Sequence, residues 1–168
     1  MISFGKIKKY IILIQQLLDK SLFELFIQNH RKVSLLDVCL IGIQIIDRLE
    51  FIHSKDFIYR DIKPANFMIG INDPNVIYII DFGFCKKFRS SRTGKHILIN
   101  NKSLFSGTIR YASINVLKGK SASRRDDLIS LGYMLIFLLK GELPWDLYST
   151  NLNREKLIKL RQLKENNG

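Results

Sequence analysis

The sequence is short of acids, short of cysteine and without a long apolar run, and each shortage removes a class of protein. Fifteen Asp and Glu stand against 27 Lys and Arg, a formal net charge of +12 over 168 residues. Such a balance attracts polyanions. No helix-turn-helix pattern, zinc-ligand spacing or platform of interleaved aromatic and basic residues accompanies it, so no specific nucleic-acid recognition is expected. An acidic or already phosphorylated protein partner fits better, with Lys86, Lys87 and the tail lysines also serving as solvated surface. The two cysteines, Cys39 and Cys85, sit far apart in apolar sequence with no metal-like pairing. Both are expected to be reduced and buried. The most apolar run, residues 128–139, includes Ser130 and Gly132 and falls short of the about 20 residues that span a bilayer. It reads as a buried helix. Residues 1–10 are too short and too charged for the apolar segment of a signal peptide. The expectation is no membrane span and a cytoplasmic and/or nuclear location.

What is present points to a folded chain. Hydrophobic residues make up 46%, mean hydropathy is near zero at +0.02, and a single domain of this length can bury about 70% of its unfolded surface. Tyr10-Ile11-Ile12-Leu13-Ile14 is rich in β-branched residues and reads as a strand. Ser34-Leu35-Leu36-Asp37 resembles a capping box, and Val38, Ile41, Ile45, Leu49 and Ile52 recur at helical spacing, so a long core helix is predicted to end near His53. Phe67-Met68-Ile69-Gly70 and Val76-Ile77-Tyr78-Ile79-Ile80 read as two strands joined by Asn72-Asp73-Pro74-Asn75. Residues 86–102 read as an exposed, mobile segment. Ser123-Arg124-Arg125-Asp126-Asp127 opens the buried helix that ends near Gly141, with its acids where the helix dipole favours them. Residues 153–165 keep an amphipathic pattern, with Leu157, Leu160 and Leu163 forming a stripe that has no obvious partner.

Chemistry concentrates in Tyr59-Arg60-Asp61-Ile62-Lys63-Pro64-Ala65-Asn66. Asp61, Lys63 and Asn66 put a carboxylate, an ammonium and an amide on one turn, and Pro64 stiffens the backbone between them. Phosphoryl transfer uses that trio: an acceptor for the hydroxyl proton, a cation facing phosphate, and a hard oxygen for Mg²⁺. Further along, Ile79-Ile80-Asp81-Phe82-Gly83 places a second acid after an apolar run. In this order the two stretches resemble the protein-kinase catalytic loop and metal-binding loop.

Among kinases, the chain resembles the casein kinase 1 family. Gly107-Thr108-Ile109-Arg110-Tyr111-Ala112-Ser113-Ile114-Asn115 stands where most kinases carry Ala-Pro-Glu, and the Ser-Ile-Asn ending marks that family. Ser123-Arg124-Arg125-Asp126-Asp127-Leu128, Leu131-Gly132-Tyr133 and Leu143-Pro144-Trp145 match as well. The resemblance implies an α+β fold, mainly α-helical: a protein-kinase-like C-lobe with a hinge strand and a short β-hairpin carrying the catalytic and Asp-Phe-Gly loops. It divides one domain into residues 1–18 (N-lobe strand and hinge), 19–150 (C-lobe) and 151–168 (a partial C-terminal helix). It implies ATP and Mg²⁺ as cofactors and transfer of the terminal phosphate to Ser or Thr of acidic or phosphorylated proteins. By the same likeness Asp61 is the base, Asn66 and Asp81 hold Mg²⁺, Lys63 balances charge and Thr108 supports Asp61. Leu17 and Leu18 face the adenine edge, Gln15 gates the rear of the pocket, and Met68 and Ile80 lie beneath the base. Arg60, Lys86, Lys102 and Arg110 bind substrate anions, and Asp127 braces the catalytic loop through its backbone amides.

The departures shape further expectations. Tyr59 replaces the usual His and is expected to pack beneath the Asp-Phe-Gly turn, His53 is expected to pack or cap rather than carry protons, and Ser149 falls where the family has a further lysine. No Gly-rich loop, Val-Ala-Ile-Lys-like strand or helix Glu precedes Tyr10. The chain is therefore expected to be a truncated kinase domain that by itself binds ATP weakly and turns over slowly, since losing one preorganised group costs about 10² to 10³ in rate. A partner covering apolar surface left by truncation is expected. The alternative is a non-catalytic, kinase-derived module that docks acidic or phosphorylated partners in its basic groove.

Overall fold

The computed structural model describes residues 3–98 and 103–167. Strands β1 (Ser3–Ile7) and β2 (Tyr10–Ile14) form an antiparallel hairpin whose residues are all exposed. The strand over residues 10–14 is as predicted; its partner β1 carries no alternation that would have announced it.

Helix α1 (Leu22–Gln28) starts at Ser21, whose hydroxyl accepts from the Glu24 N–H while the Glu24 carboxylate accepts from the Ser21 N–H. Helix α2 (Leu35–Ser54) is capped by Ser34, whose hydroxyl accepts from the Asp37 N–H and donates to Asp37 Oδ2. Its buried face is Val38, Gly42, Ile45, Leu49 and Ile52, the stripe expected from spacing except that Gly42 takes the buried place and Ile41 is half-buried. That face packs against α4 (Arg124–Lys140), which buries Leu131, Met134, Phe137 and Leu138. Gly42 lets the Leu135 side chain of α4 approach closely, because a Cβ there would lie 3.1 Å from its Cδ1. Gly141 ends α4 with φ +86°, a conformation that costs glycine nothing. Phe26 meets Phe137 and Tyr133 meets Trp145, each pair with ring centroids 4.8 Å apart.

Between the two long helices the chain runs through short pieces. Strand β3 (Phe57–Ile58) leads into the loop that ends in a 3₁₀ turn at Pro64–Asn66, and β4 (Phe67–Ile69) and β5 (Ile77–Ile79) then pair as a hairpin. β6 (Lys86–Lys87) returns to pair with β3. α3 is the single turn Ile114–Leu117, and after α4 a 3₁₀ turn at Asp146–Tyr148 precedes α5 (Arg154–Asn166).

Two expectations are corrected. Cys39 is exposed rather than buried, because it lies on the face of α2 that also shows Leu35, Leu36, Leu40 and Ile43 to solvent. Residues 86–98 are mostly exposed, as expected, with β6 followed by an Arg89–His96 bridge. Phe88 is buried there, with the Arg124 guanidinium 4.7 Å from its ring. The stripe of α5 has its partner too. Leu160 is fully buried, Leu157 and Leu163 pack on the core, and Arg161 donates to the Leu117 carbonyl of α3. Cys85 is half-buried, and burial beside the Asp127 carboxylate pushes its thiol up to about 11, so it fills space as a neutral thiol. Among the described residues no helix is long and apolar enough to cross a membrane.

Lys164 on α5 is 1% exposed. Burial pushes its ammonium down to about 7 from the ordinary 10.5, with Asp146 pulling the other way. The sign follows from linkage: the unfolded chain holds this proton up to about 10.5 and the folded chain releases it near 7, so folding stability rises with pH between them. Tyr111 is pushed up to about 12 by burial and Tyr133 is raised likewise, so burial moves both neighbours away from the range between pH 7 and 9. Melting temperature measured from pH 7 to 9 is expected to rise more steeply in the native chain than in Lys164→Met; equal slopes would refute this.

Candidate active site

The loop after β3 is shaped by a buried acid from another element. Asp127, in the first turn of α4 and 2% exposed, accepts from the Tyr59 and Arg60 N–H groups at 2.8 Å each, and its Oδ2 lies 2.8 Å from His53 Nε2. Both carboxylate oxygens are thereby engaged. Arg60 is held in the left-handed region at φ +71°, and the bend turns Asp61 inward to 1% exposure.

Asp61 is the hub. Its Oδ1 accepts from Thr108 Oγ1 at 2.8 Å, and its Oδ2 lies 2.7 Å from Lys63 Nζ and accepts from Asn66 Nδ2 at 3.0 Å. Asn66 Nδ2 also donates to the Asp61 carbonyl at 2.9 Å. The local cause is Pro64 at the start of the 3₁₀ turn, which carries Asn66 back over Asp61. The distant partner arrives through Gly107: at φ +103° a Cβ would sit 2.3 Å from the Arg60 carbonyl, so only glycine brings Thr108 this close.

The second acid is tied to the same loop. The Ile80 N–H donates to the Asn66 carbonyl at 3.0 Å, and the Tyr59 hydroxyl donates to the Ile80 carbonyl at 2.5 Å. Asp81 follows at φ +59°, exposed, with its Oδ1 accepting from the Gly83 N–H at 3.1 Å. Tyr59 is fully buried with its ring edge-on to Phe82, 5.8 Å between centroids. Burial raises its hydroxyl well above the usual range, and the charges of Asp61 and Asp81 both push it further. One hydroxyl therefore feels both carboxylates. The bond from Tyr59 to Ile80 was not foreseen; the replacement of the usual His by a ring with a donor was the signal for it.

The remaining candidates divide. The Asp19 N–H donates to the Ile69 carbonyl and the Ile69 N–H to the Lys20 carbonyl, both at 2.9 Å, which lays the segment after Leu17 and Leu18 along β4. Met68 and Ile80 are half-buried, Leu18 likewise, while Leu17 and Gln15 are open to solvent. Arg60 and Lys86 line one small hollow together with Lys87 and His96, although Arg60 Nε is already engaged by the Phe84 carbonyl at 2.6 Å. Arg110 does not join them. It lines a separate hollow of about 330 Å³ with Lys63, Thr108, Tyr111 and Ser149. There its Nε lies 3.0 Å from Asp146 Oδ1 and its guanidinium 5.1 Å from the Phe137 ring. The expected gathering of cations is corrected on that point, since Asp146 already neutralises Arg110. Lys102 lies outside the described residues.

Set against known families, the model described as protein kinase domain matches residues 1–167.

Proposed function

The chain belongs to the protein kinase family, and on that premise we propose that it transfers the terminal phosphate of ATP to serine or threonine hydroxyls of acidic or phosphate-primed proteins, in the manner of casein kinase 1. The observation that carries the reading is the buried Asp61 carboxylate with Thr108, Lys63 and Asn66 all within 3.0 Å. In the proposed step the attacking hydroxyl forms the new P–O bond and gives its proton to Asp61 as the bond to the diphosphate leaving group breaks. Lys63, 29% exposed, places its cation beside the moving phosphoryl group, and Thr108 keeps the Asp61 carboxylate in register.

Protein kinase domains generally use ATP and Mg²⁺, and the residues here fit the ion. The exposed Asp81 carboxylate and the Asn66 amide oxygen are hard donors, and Asn66 turns its nitrogen to Asp61 so that its oxygen faces the other way. Among the described residues no cluster of three His, Cys, Asp or Glu forms a cage. An ion held by Asp81 and Asn66 would neutralise triphosphate charge there.

The casein kinase 1 assignment rests on the Ser-Ile-Asn trio. Ser113 is fully buried, donates to Asp126 Oδ1 at 2.5 Å and caps α3 through the Val116 N–H. Asp126 also caps its own helix by accepting from the Ser123 N–H at 2.7 Å. A short polar ending thus ties the segment after Thr108 to α4.

Two measurements test the proposal. Purified chain with MgATP is expected to phosphorylate casein slowly, and saturating MgATP is expected to raise its melting temperature, with about 2.7 kcal/mol of stabilisation at a hundredfold excess over Kd. Asp81→Asn should remove the Mg²⁺-dependent part of that shift. Phosphopeptide binding with no response to nucleotide would replace the enzyme by a docking module.

A further inference from the structure

We propose that Lys164 is a positioning residue for the protein substrate, holding the backbone of residues 109–112 in the shape that the phosphoacceptor segment docks against. The inference rests on the phosphotransfer reading and adds a residue that lies beyond every motif used for it.

Lys164 Nζ donates to three carbonyls of one short segment, Ala112 at 2.6 Å, Arg110 at 2.9 Å and Ile109 at 3.4 Å. It lies 4.6 Å from the ring centroids of both Tyr133 and Trp145. Trp145 Nε1 donates to the same Arg110 carbonyl at 2.8 Å, so two side chains from different elements hold one backbone oxygen. A cation buried to this degree is costly without such partners. Its acceptors are all main-chain, so it fixes a backbone path rather than a side chain.

That path matters because of what lies at its start. Residues 109–112 begin directly after Thr108, which donates to Asp61 Oδ1. With carbonyls of this segment drawn in toward α5, Ile109, Arg110 and Tyr111, together with Lys63, Ala65 and Ser149, line the hollow of about 330 Å³ beside the Asp61 loop. A peptide that presents its hydroxyl to Asp61 would run its flanking residues through this hollow. The nucleotide side of the site, at Asp81, Met68 and Ile80, shares no hydrogen bond with Lys164 among those described.

Lys164 should therefore act on the protein substrate and not on ATP. A docking segment that is correctly formed only about a tenth of the time raises the apparent KM about tenfold. In the full chain, Lys164→Met is expected to raise the KM for a casein-derived peptide by about that factor while leaving the KM for ATP within twofold. Lys164→Arg, which keeps a donor cation, should recover most of the loss. Hydrogen exchange gives a readout independent of activity: amides of residues 109–112 should lose protection in Lys164→Met while those of α2 and α4 keep theirs. If the native chain transfers no phosphate, the phosphotransfer reading fails and the exchange result alone decides the anchoring role. The proposal is overturned if exchange at residues 109–112 is unchanged in Lys164→Met, or if the KM values for peptide and ATP rise together.

Discussion

Asp127→Ala is expected to lower folding stability by about 3 to 5 kcal/mol, the cost of breaking a buried charged network by removing one partner. The carboxylate is 2% exposed and fully used, with Tyr59 and Arg60 N–H groups and His53 Nε2 all at 2.8 Å. Removing it leaves two backbone donors facing a void, each costing about 1 to 3 kcal/mol when buried without an acceptor. Asparagine is a poor substitute, because its NH₂ group must face an N–H donor that the second carboxylate oxygen accepted. The melting temperature should fall by about 10 °C, given about 2 to 4 °C per kcal/mol for a chain of this size. The chemistry should fall further than the fold. Arg60 holds φ +71° only while its N–H is anchored, and Asp61 owes its orientation to that bend. Urea unfolding of native chain, Asp127→Ala and Asp127→Asn measures the first effect; a loss below about 1 kcal/mol would mean that the loop keeps its shape without α4.

The parts of this network legible in the sequence were those that sequence neighbours build. Asp61, Lys63 and Asn66 lie within one turn, so their residue types and the intervening Pro64 announce the cluster before any fold is known. The hairpin between Asn66 and Asp81 was readable for the same reason, from two short apolar runs around an Asn-Asp-Pro-Asn turn. The long-range members, Thr108 and Asp127, came only through family likeness, since nothing local marks a hydroxyl or an acid as the partner of a loop so far away. Lys164 carried no signal at all. Its three acceptors are main-chain carbonyls, and a carbonyl has no residue identity to read.

Two misreadings share a physical origin. Cys39 sits among apolar neighbours, but α2 is apolar around much of its circumference, and the packing of α4 chooses Val38, Ile45 and Leu49 for the core. Local apolarity predicted burial where only the facing helix decides it. Arg110 was grouped with Arg60, Lys86 and Lys102 by family likeness, yet Asp146, just past Trp145, lies against its guanidinium. The same turn brings both Trp145 and Asp146 to Arg110: one holds its carbonyl, the other its side chain. The segment after Thr108 is thus clamped by Trp145, by Asp146 and by Lys164, the last two beyond the matched motifs, which explains why motifs alone described the catalytic loop better than the surface next to it.

Asp61→Asn is expected to reduce phosphate transfer by about 10² to 10⁴, the usual contribution of a positioned proton acceptor, while the protein stays folded and its nucleotide response survives. Asparagine is isosteric, and its oxygen still accepts from Thr108 Oγ1. At the other position the new NH₂ faces Lys63 Nζ and Asn66 Nδ2, both donors that had converged on Asp61 Oδ2. Lys63 is 29% exposed and swings to water; Asn66 is buried, loses its bond to the side chain at position 61 and keeps the one to that residue's carbonyl, so its oxygen stays turned away. The stability loss should therefore stay near about 1 to 3 kcal/mol, that of one unsatisfied buried group. Asp81 is untouched, so Mg²⁺-dependent stabilisation by ATP should persist within about twofold in apparent Kd, which corresponds to less than about 0.5 kcal/mol. The combination separates the roles: Asp81→Asn weakens the nucleotide response, whereas Asp61→Asn leaves it and removes turnover. Were Asp61→Asn to transfer phosphate at the native rate with its melting curve intact, the proton would have to leave by another route and Asp61 would be only the keystone of a loop.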